Sequence, residues 1–147
     1  MSKRKSTLAL PIKEMIEWQL EHYREDLRTL EELKTDLIPS PVQRISGERT
    51  GSGAPSRSTE NVAERIISHP YVKYLEKSVA AITYALDHYC NDTDKLLIEA
   101  VYWQRAFTVE GAALRAHIST ATAYRRINAI LTAIAVELGY VNYDELK

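Results

Sequence analysis

Within one short stretch lie His88, Cys90, Asp92 and Asp94, four residues of the types that ligate metals or activate a thiol. Zinc sites draw on ligand pairs at short, repeated spacing. No second pair answers this one, because His22, His69 and His117 are scattered over other segments. Cys90 has no neighbouring base that would hold it as a thiolate, so a buried or neutral thiol is expected. The acidic residues fall at spacings that suit solvated helix faces, and none forms a pair of the kind that raises a carboxyl pKa. The His88–Asp94 stretch therefore reads as a helix end. The chain is expected not to be an enzyme and to carry neither metal nor cofactor.

A second set points to a different chemistry. Ser119, Thr120, Ala121, Thr122, Tyr124, Arg125 and Arg126 follow one another closely, and Arg115 precedes them. Short hydroxyl side chains and Ala at the start of a helix let backbone and base edges approach, while arginines one turn on reach phosphate or guanine. Duplex DNA is the partner such a helix end fits, through its N–H groups and its dipole.

These residues need a frame to hold them. Thr108 is placed to cap a helix over about Val109–Ala116, His117 and Ile118 make a turn, and Ser119 caps a longer helix from Thr120. Ala113, Leu114, Ile118, Ala123, Ile127 and Ile130 are expected to close one small core between the two helices. The layout over about 108–131 is that of a helix-turn-helix. Upstream, Ile12, Ile16, Leu20, Tyr23, Leu27, Leu30 and Leu37 recur at helical spacing, apart from a gap filled by Lys34, and predict one long helix ending before Pro39. Its short heptad pattern suits either packing on its own domain or pairing with a second subunit.

Residues 39–59, with Pro39, Pro41, Pro55, three glycines and several serines, read as a flexible linker. Ser58 or Thr59 can cap a short helix to about Ser68, and Pro70 marks a bend. Val72, Leu75, Val79, Ile82 and Leu86 then predict a helix. Asn91, Asp92 and Thr93 form a break and a cap, and Leu96, Leu97, Ala100, Val101 and Trp103 or Phe107 another helix. Gly139 is a good helix stop. The several tyrosines near these faces, Tyr71, Tyr74, Tyr84 and Tyr89, suit core or rim positions. No strand pattern emerges, so the expected fold is all-α. It comprises a long N-terminal helix over 1–38, the linker over 39–59 and a helical DNA-binding domain over 60–147.

Bulk composition sets loose bounds. The 147 residues are 45% hydrophobic and 27% charged, ordinary for a globular chain. No apolar run approaches the ~20 residues of a membrane span, and one cysteine allows no internal disulfide, so a reducing cytoplasm is the expected compartment. The formal net charge is −1. Residues 105–147 hold five basic and four acidic side chains and are the only segment that leans positive. Phosphate neutralisation supplies much of DNA affinity. A monomer this sparsely charged is expected to need a second copy or a protein partner.

The span from about Thr59 to Gly139 resembles the phage RinA/ArpU-type late transcriptional regulators, whose C-terminal part is similar to region 4 of sigma factors. The resemblance is carried by Tyr74-Leu75-Glu76-Lys77 with Ala81-Ile82, by Leu97-Ile98 to Tyr102-Trp103, and by Ile118 through Ile127, followed by Leu138-Gly139. It implies a phage or prophage activator of late operons, acting at a promoter, with host RNA polymerase as a partner. His117 stands where such turns often have Gly, and Gly111 falls inside the first helix. Thr120, Ala121, Tyr124 and Arg125 are expected to face bases, and Thr122, Arg115 and Arg126 phosphates. Two other readings stand beside this one. A small terminase-type DNA-packaging subunit would use the same motif, and a partner-binding module would grip another protein with the N-terminal helix, with the motif as scaffold; the same helix is the candidate contact for a homodimer.

Overall fold

A computed structural model of the chain describes residues 8–37 and 64–142. The stretch expected to be a linker, and the caps proposed at Ser58 and Thr59, lie outside the described residues. Among the described residues every regular element is helical. The elements are α1 (Leu10–Glu21), α2 (Tyr23–Leu37), α3 (Pro70–His88), α4 (Asp92–Ile98), a π-helical segment (Glu99–Trp103), α5 (Val109–Ala116) and α6 (Thr120–Leu138). A single helical turn occupies residues 64–68, where the Ser68 hydroxyl donates to the Glu64 carbonyl.

The chain divides into two compact units, one drawn from Met1–Arg24 and Ser78–Lys147, the other from Glu25–Lys77. In the first, α5 and α6 pack on one another, α4 packs on both, and α1 lies against α6 and the π-helical segment. Its core includes Ile16, Leu20, Ile82, Leu97, Ile98, Leu131 and Ile134, all essentially removed from water. The second unit buries Leu30, Val72 and Leu75.

The single long N-terminal helix is two helices. His22 leaves the helical path, and its ring Nδ1 lies 2.8 Å from the Trp18 carbonyl. The last carbonyls of any helix lack intrahelical partners, and one at this end is taken up from outside: the Trp103 indole N–H donates to the Leu20 carbonyl at 2.9 Å. Tyr102 donates from its hydroxyl to Glu17 at 2.7 Å, and Tyr23 and Thr83 share a hydroxyl hydrogen bond of the same length. Burial and the bond to Glu17 both push the Tyr102 phenol well above its usual range. Ile16, Leu20 and Tyr23, three of the seven residues in the stripe read as either internal or intersubunit, are thus packed inside their own unit. The outward side of α1 carries Leu10, Met15 and Trp18 instead.

Further along, the helix expected to run from Leu96 toward Phe107 ends at Trp103 with one turn of wider winding, closed by the Gln104 N–H on the Glu99 carbonyl. Leu96 faces water, while Ala100 and Tyr102 turn inward. Pro70 is the first residue of α3, where its missing N–H costs nothing. Asn91 caps α4 in a full capping box with Asp94, and Gly139 stops α6 at φ 84°.

Candidate nucleic-acid interface

Local chemistry sets the ends of α5 and α6. Thr108 is extended, and its Oγ1 accepts the Gly111 N–H at 3.1 Å. Gly111, an interruption on propensity grounds, sits in the first turn as the donor to that cap. His117 ends α5 in the left-handed region, φ 60° and ψ 41°, where a non-glycine residue is uncommon but His is tolerated. The His117 N–H bonds the Leu114 carbonyl and the Ile118 N–H the Ala113 carbonyl, which reverses the chain within three residues. Ser119, again extended, accepts the Thr122 N–H at 3.1 Å and starts α6.

The two helices meet through small residues. Ala112, Ala113 and Ala123 are buried, as are Ile127 and Ile130 further along α6. Leu114, expected in this core, is 77% exposed. Successive helical residues differ by about 100°, and the step from Ala113 to Leu114 carries the leucine out of the crossing. Short side chains at the crossing allow the closer approach, and Leu114 is turned out.

The side chains nominated for DNA divide into free and committed groups. Thr120, Ala121 and Arg125 are exposed on the N-terminal half of α6. Ser119 and Thr122 are tied together, the serine hydroxyl donating to Thr122 Oγ1 at 2.9 Å. Tyr124 reaches back to α5, where its hydroxyl donates to Glu110 at 3.1 Å. That carboxylate acceptor raises the pKa of the phenol. The Arg115 guanidinium lies 4.8 Å from the centre of the Phe107 ring and remains exposed.

Arg126 departs most from expectation. Instead of facing a phosphate, its Nε donates to Asp94 Oδ1 at 2.6 Å. The Asp94 side chain is 6% exposed and its second oxygen accepts the Asn91 N–H, so this carboxylate is not on a solvated face. A buried carboxylate needs a counter-charge, and Arg126 is the one α6 supplies. The pair fastens α6 to α4.

Sequence reasoning passed over Asp94 and Glu110 as positioning groups, and it passed over Asn128. Asp94 is legible as the third residue after a capping Asn91, but its pairing to Arg126 spans 32 positions and leaves no local signal. Asn128 stands three residues beyond Arg125 and seven beyond Ala121, on the same exposed face, so the periodicity did contain it.

Behind α6, a cavity of about 510 Å³ is lined by His88, Cys90, Asn91, Asp94 and Arg126 above an apolar floor that includes Ile130. Of the four residues first considered as metal ligands, His88, Cys90 and Asp94 line it and Asp92 does not. His88 Nδ1 lies 3.1 Å from the Tyr84 carbonyl. Burial, with help from Asp94, pushes the Cys90 thiol up to about 11, so it is neutral across ordinary pH. Among the described residues no three His, Cys, Asp or Glu side chains are grouped to hold a metal ion. No described helix is long and apolar enough to cross a membrane.

Apart from Glu137 in its last turn, α6 has no carboxylate, whereas its first half bears two arginines. Its outward face thus offers hydrogen-bonding groups and positive charge. Comparison of the chain with family models, with curated proteins and with solved structures returns no match.

Proposed function

We propose that the chain is a sequence-specific DNA-binding transcription regulator, with α5 and α6 as a helix-turn-helix whose second helix enters the major groove. The observation that carries this reading is the exposed N-terminal half of α6. It begins at a capped end, follows the left-handed turn at His117, and presents Thr120, Ala121 and Arg125 with no carboxylate on its own helix until Glu137. Positive charge and free donors at a helix N-terminus favour phosphate, and short side chains beside a long one permit base contact. The resemblance to phage late regulators adds the expectation of an activator of late operons that works with host RNA polymerase.

Within this reading Arg125 faces bases and Arg115 faces phosphate. Arg126 acts through Asp94 to set the pitch of α6. Thr122 and Tyr124 are held by Ser119 and Glu110, so they support the reading surface more than they search the groove. With so few free cations, a second copy or the polymerase supplies the remaining affinity.

Binding of the full-length protein to random duplexes, followed by recovery and sequencing of the bound fraction, tests the proposal. Enrichment of one motif, weakened by Arg125→Ala, is the expected result. Uniform recovery of all sequences by the wild type, at low as well as physiological salt, would remove the DNA reading. Light scattering in the same buffer separates a monomer or dimer from the many-copy ring expected of a packaging subunit.

A further inference from the structure

The exposed row on α6 extends past the residues nominated so far. Ala121, Arg125 and Asn128 follow at intervals of four and three, which places them in line along one face. Their polar neighbours are already engaged: Thr122 by Ser119, Tyr124 by Glu110, Arg126 by Asp94, and Thr132 by the carbonyl of Asn128 itself. Among the described residues the side chains of Arg125 and Asn128 have no hydrogen-bond partner, and both are exposed. Asn in the middle of a helix gains nothing locally. It has poor helix propensity, and its side chain competes for backbone groups. An exposed, unbonded Asn that neither caps nor pairs is a local cost that a ligand contact would offset.

We propose that Arg125 and Asn128 form a base-reading pair in which Arg125 recognises guanine and Asn128 recognises adenine in the major groove. This rests on the DNA-binding reading given above. A guanidinium donates twice, to guanine O6 and N7. A carboxamide gives one donor and one acceptor, the complement of adenine N7 and N6. Three residues advance about 4.5 Å along a helix axis, and base pairs are stacked about 3.4 Å apart. The guanine and the adenine therefore lie one or two base pairs from each other. Ala121, one turn before Arg125, is small enough to let α6 sit deep in the groove. The row itself bears a guanidinium and no carboxylate, and the neighbouring Glu110 carboxylate is engaged by the Tyr124 hydroxyl.

Sequence selection with full-length wild type, Asn128→Ala, Asn128→Asp and Arg125→Ala separates the possibilities, with far-UV circular dichroism to confirm folding of each variant. The wild-type motif is expected to hold a fixed guanine and a fixed adenine at that spacing. Asn128→Ala should lose preference at the adenine alone, keep the guanine, and bind the selected site about 10- to 100-fold more weakly. Its affinity for unrelated duplex should be unchanged. Asn128→Asp, an acceptor without donors, should turn the same position toward a base pair whose cytosine amino group can donate. If the wild type selects a motif and Asn128→Ala selects the same one with undiminished preference at every position, the pair is wrong while DNA binding stands. A wild type that enriches no sequence removes both.

Discussion

Replacing Arg126 by Ala should destabilise the fold far more than replacing Arg125, although the two are adjacent arginines on one helix. Arg126 gives its Nε to a carboxylate whose side chain is 6% exposed, and apart from the Asn91 N–H that carboxylate has no other hydrogen-bond donor. Breaking a fully buried ion pair from one side costs about 3–5 kcal/mol, because the remaining charge is stranded. The guanidinium is 35% exposed, so water can partly replace it, and a cost of about 2–3 kcal/mol is the expected range. Arg125 is exposed without a partner among the described residues, and its removal should stay within about 0.5 kcal/mol. Urea unfolding followed by circular dichroism reads both. With a slope of about 2 kcal/mol per molar, the Arg126→Ala midpoint should fall by about 1–1.5 M. A second substitution fixes the cause. Asp94→Asn should be destabilising in the wild type, where it weakens the pair. In the Arg126→Ala background it should be neutral or stabilising, because it removes the stranded charge. Equal stability of the two arginine variants, or an Asp94→Asn cost that is the same in both backgrounds, would refute the latch.

Three further outcomes follow from single residues. His117→Gly should raise stability by up to about 1 kcal/mol, measured by thermal unfolding, because a left-handed residue at φ 60° strains any side chain. Leu114→Ala should change stability by less than about 0.5 kcal/mol, whereas Ala113→Leu, at the helix crossing, should cost about 1–3 kcal/mol or more in the same urea assay. The Cys90 thiol, raised from 9.0 to about 11, favours its neutral form. At pH 8 its alkylation by iodoacetamide should be about 100-fold slower in the folded protein than in urea, and the folded rate should still be climbing above pH 10.

Much of the helical frame was legible in the sequence because it is written in local chemistry. Thr108, Ser119, Asn91 and Gly139 each act on a neighbour within four residues, and each marks an observed helix end. What the sequence concealed came from contacts between distant segments. His22 carries no breaker signal, yet the helix stops there, close to where Trp103 engages the Leu20 carbonyl. The burial of Ala112 in place of Leu114 depends on what α6 brings to the crossing, which helical periodicity alone does not specify. The roles of Arg125 and Arg126 were similarly inseparable by type. One angular step of about 100° sends the first to solvent and the second to Asp94.

The π-helical turn at Glu99–Trp103 makes the position of a length change matter. Its closing bond skips five residues, so the turn holds one more residue than an α-helix would. Removing one residue there would let ordinary winding resume while everything after the turn keeps its direction relative to α4. A deletion within α4, which has no extra residue to give up, would instead rotate the downstream part by about 100°. Tyr102 and Trp103 would then miss Glu17 and the Leu20 carbonyl, and α5 would leave α4 in the wrong direction. In related chains a missing residue should therefore fall in this short segment rather than in the helix before it.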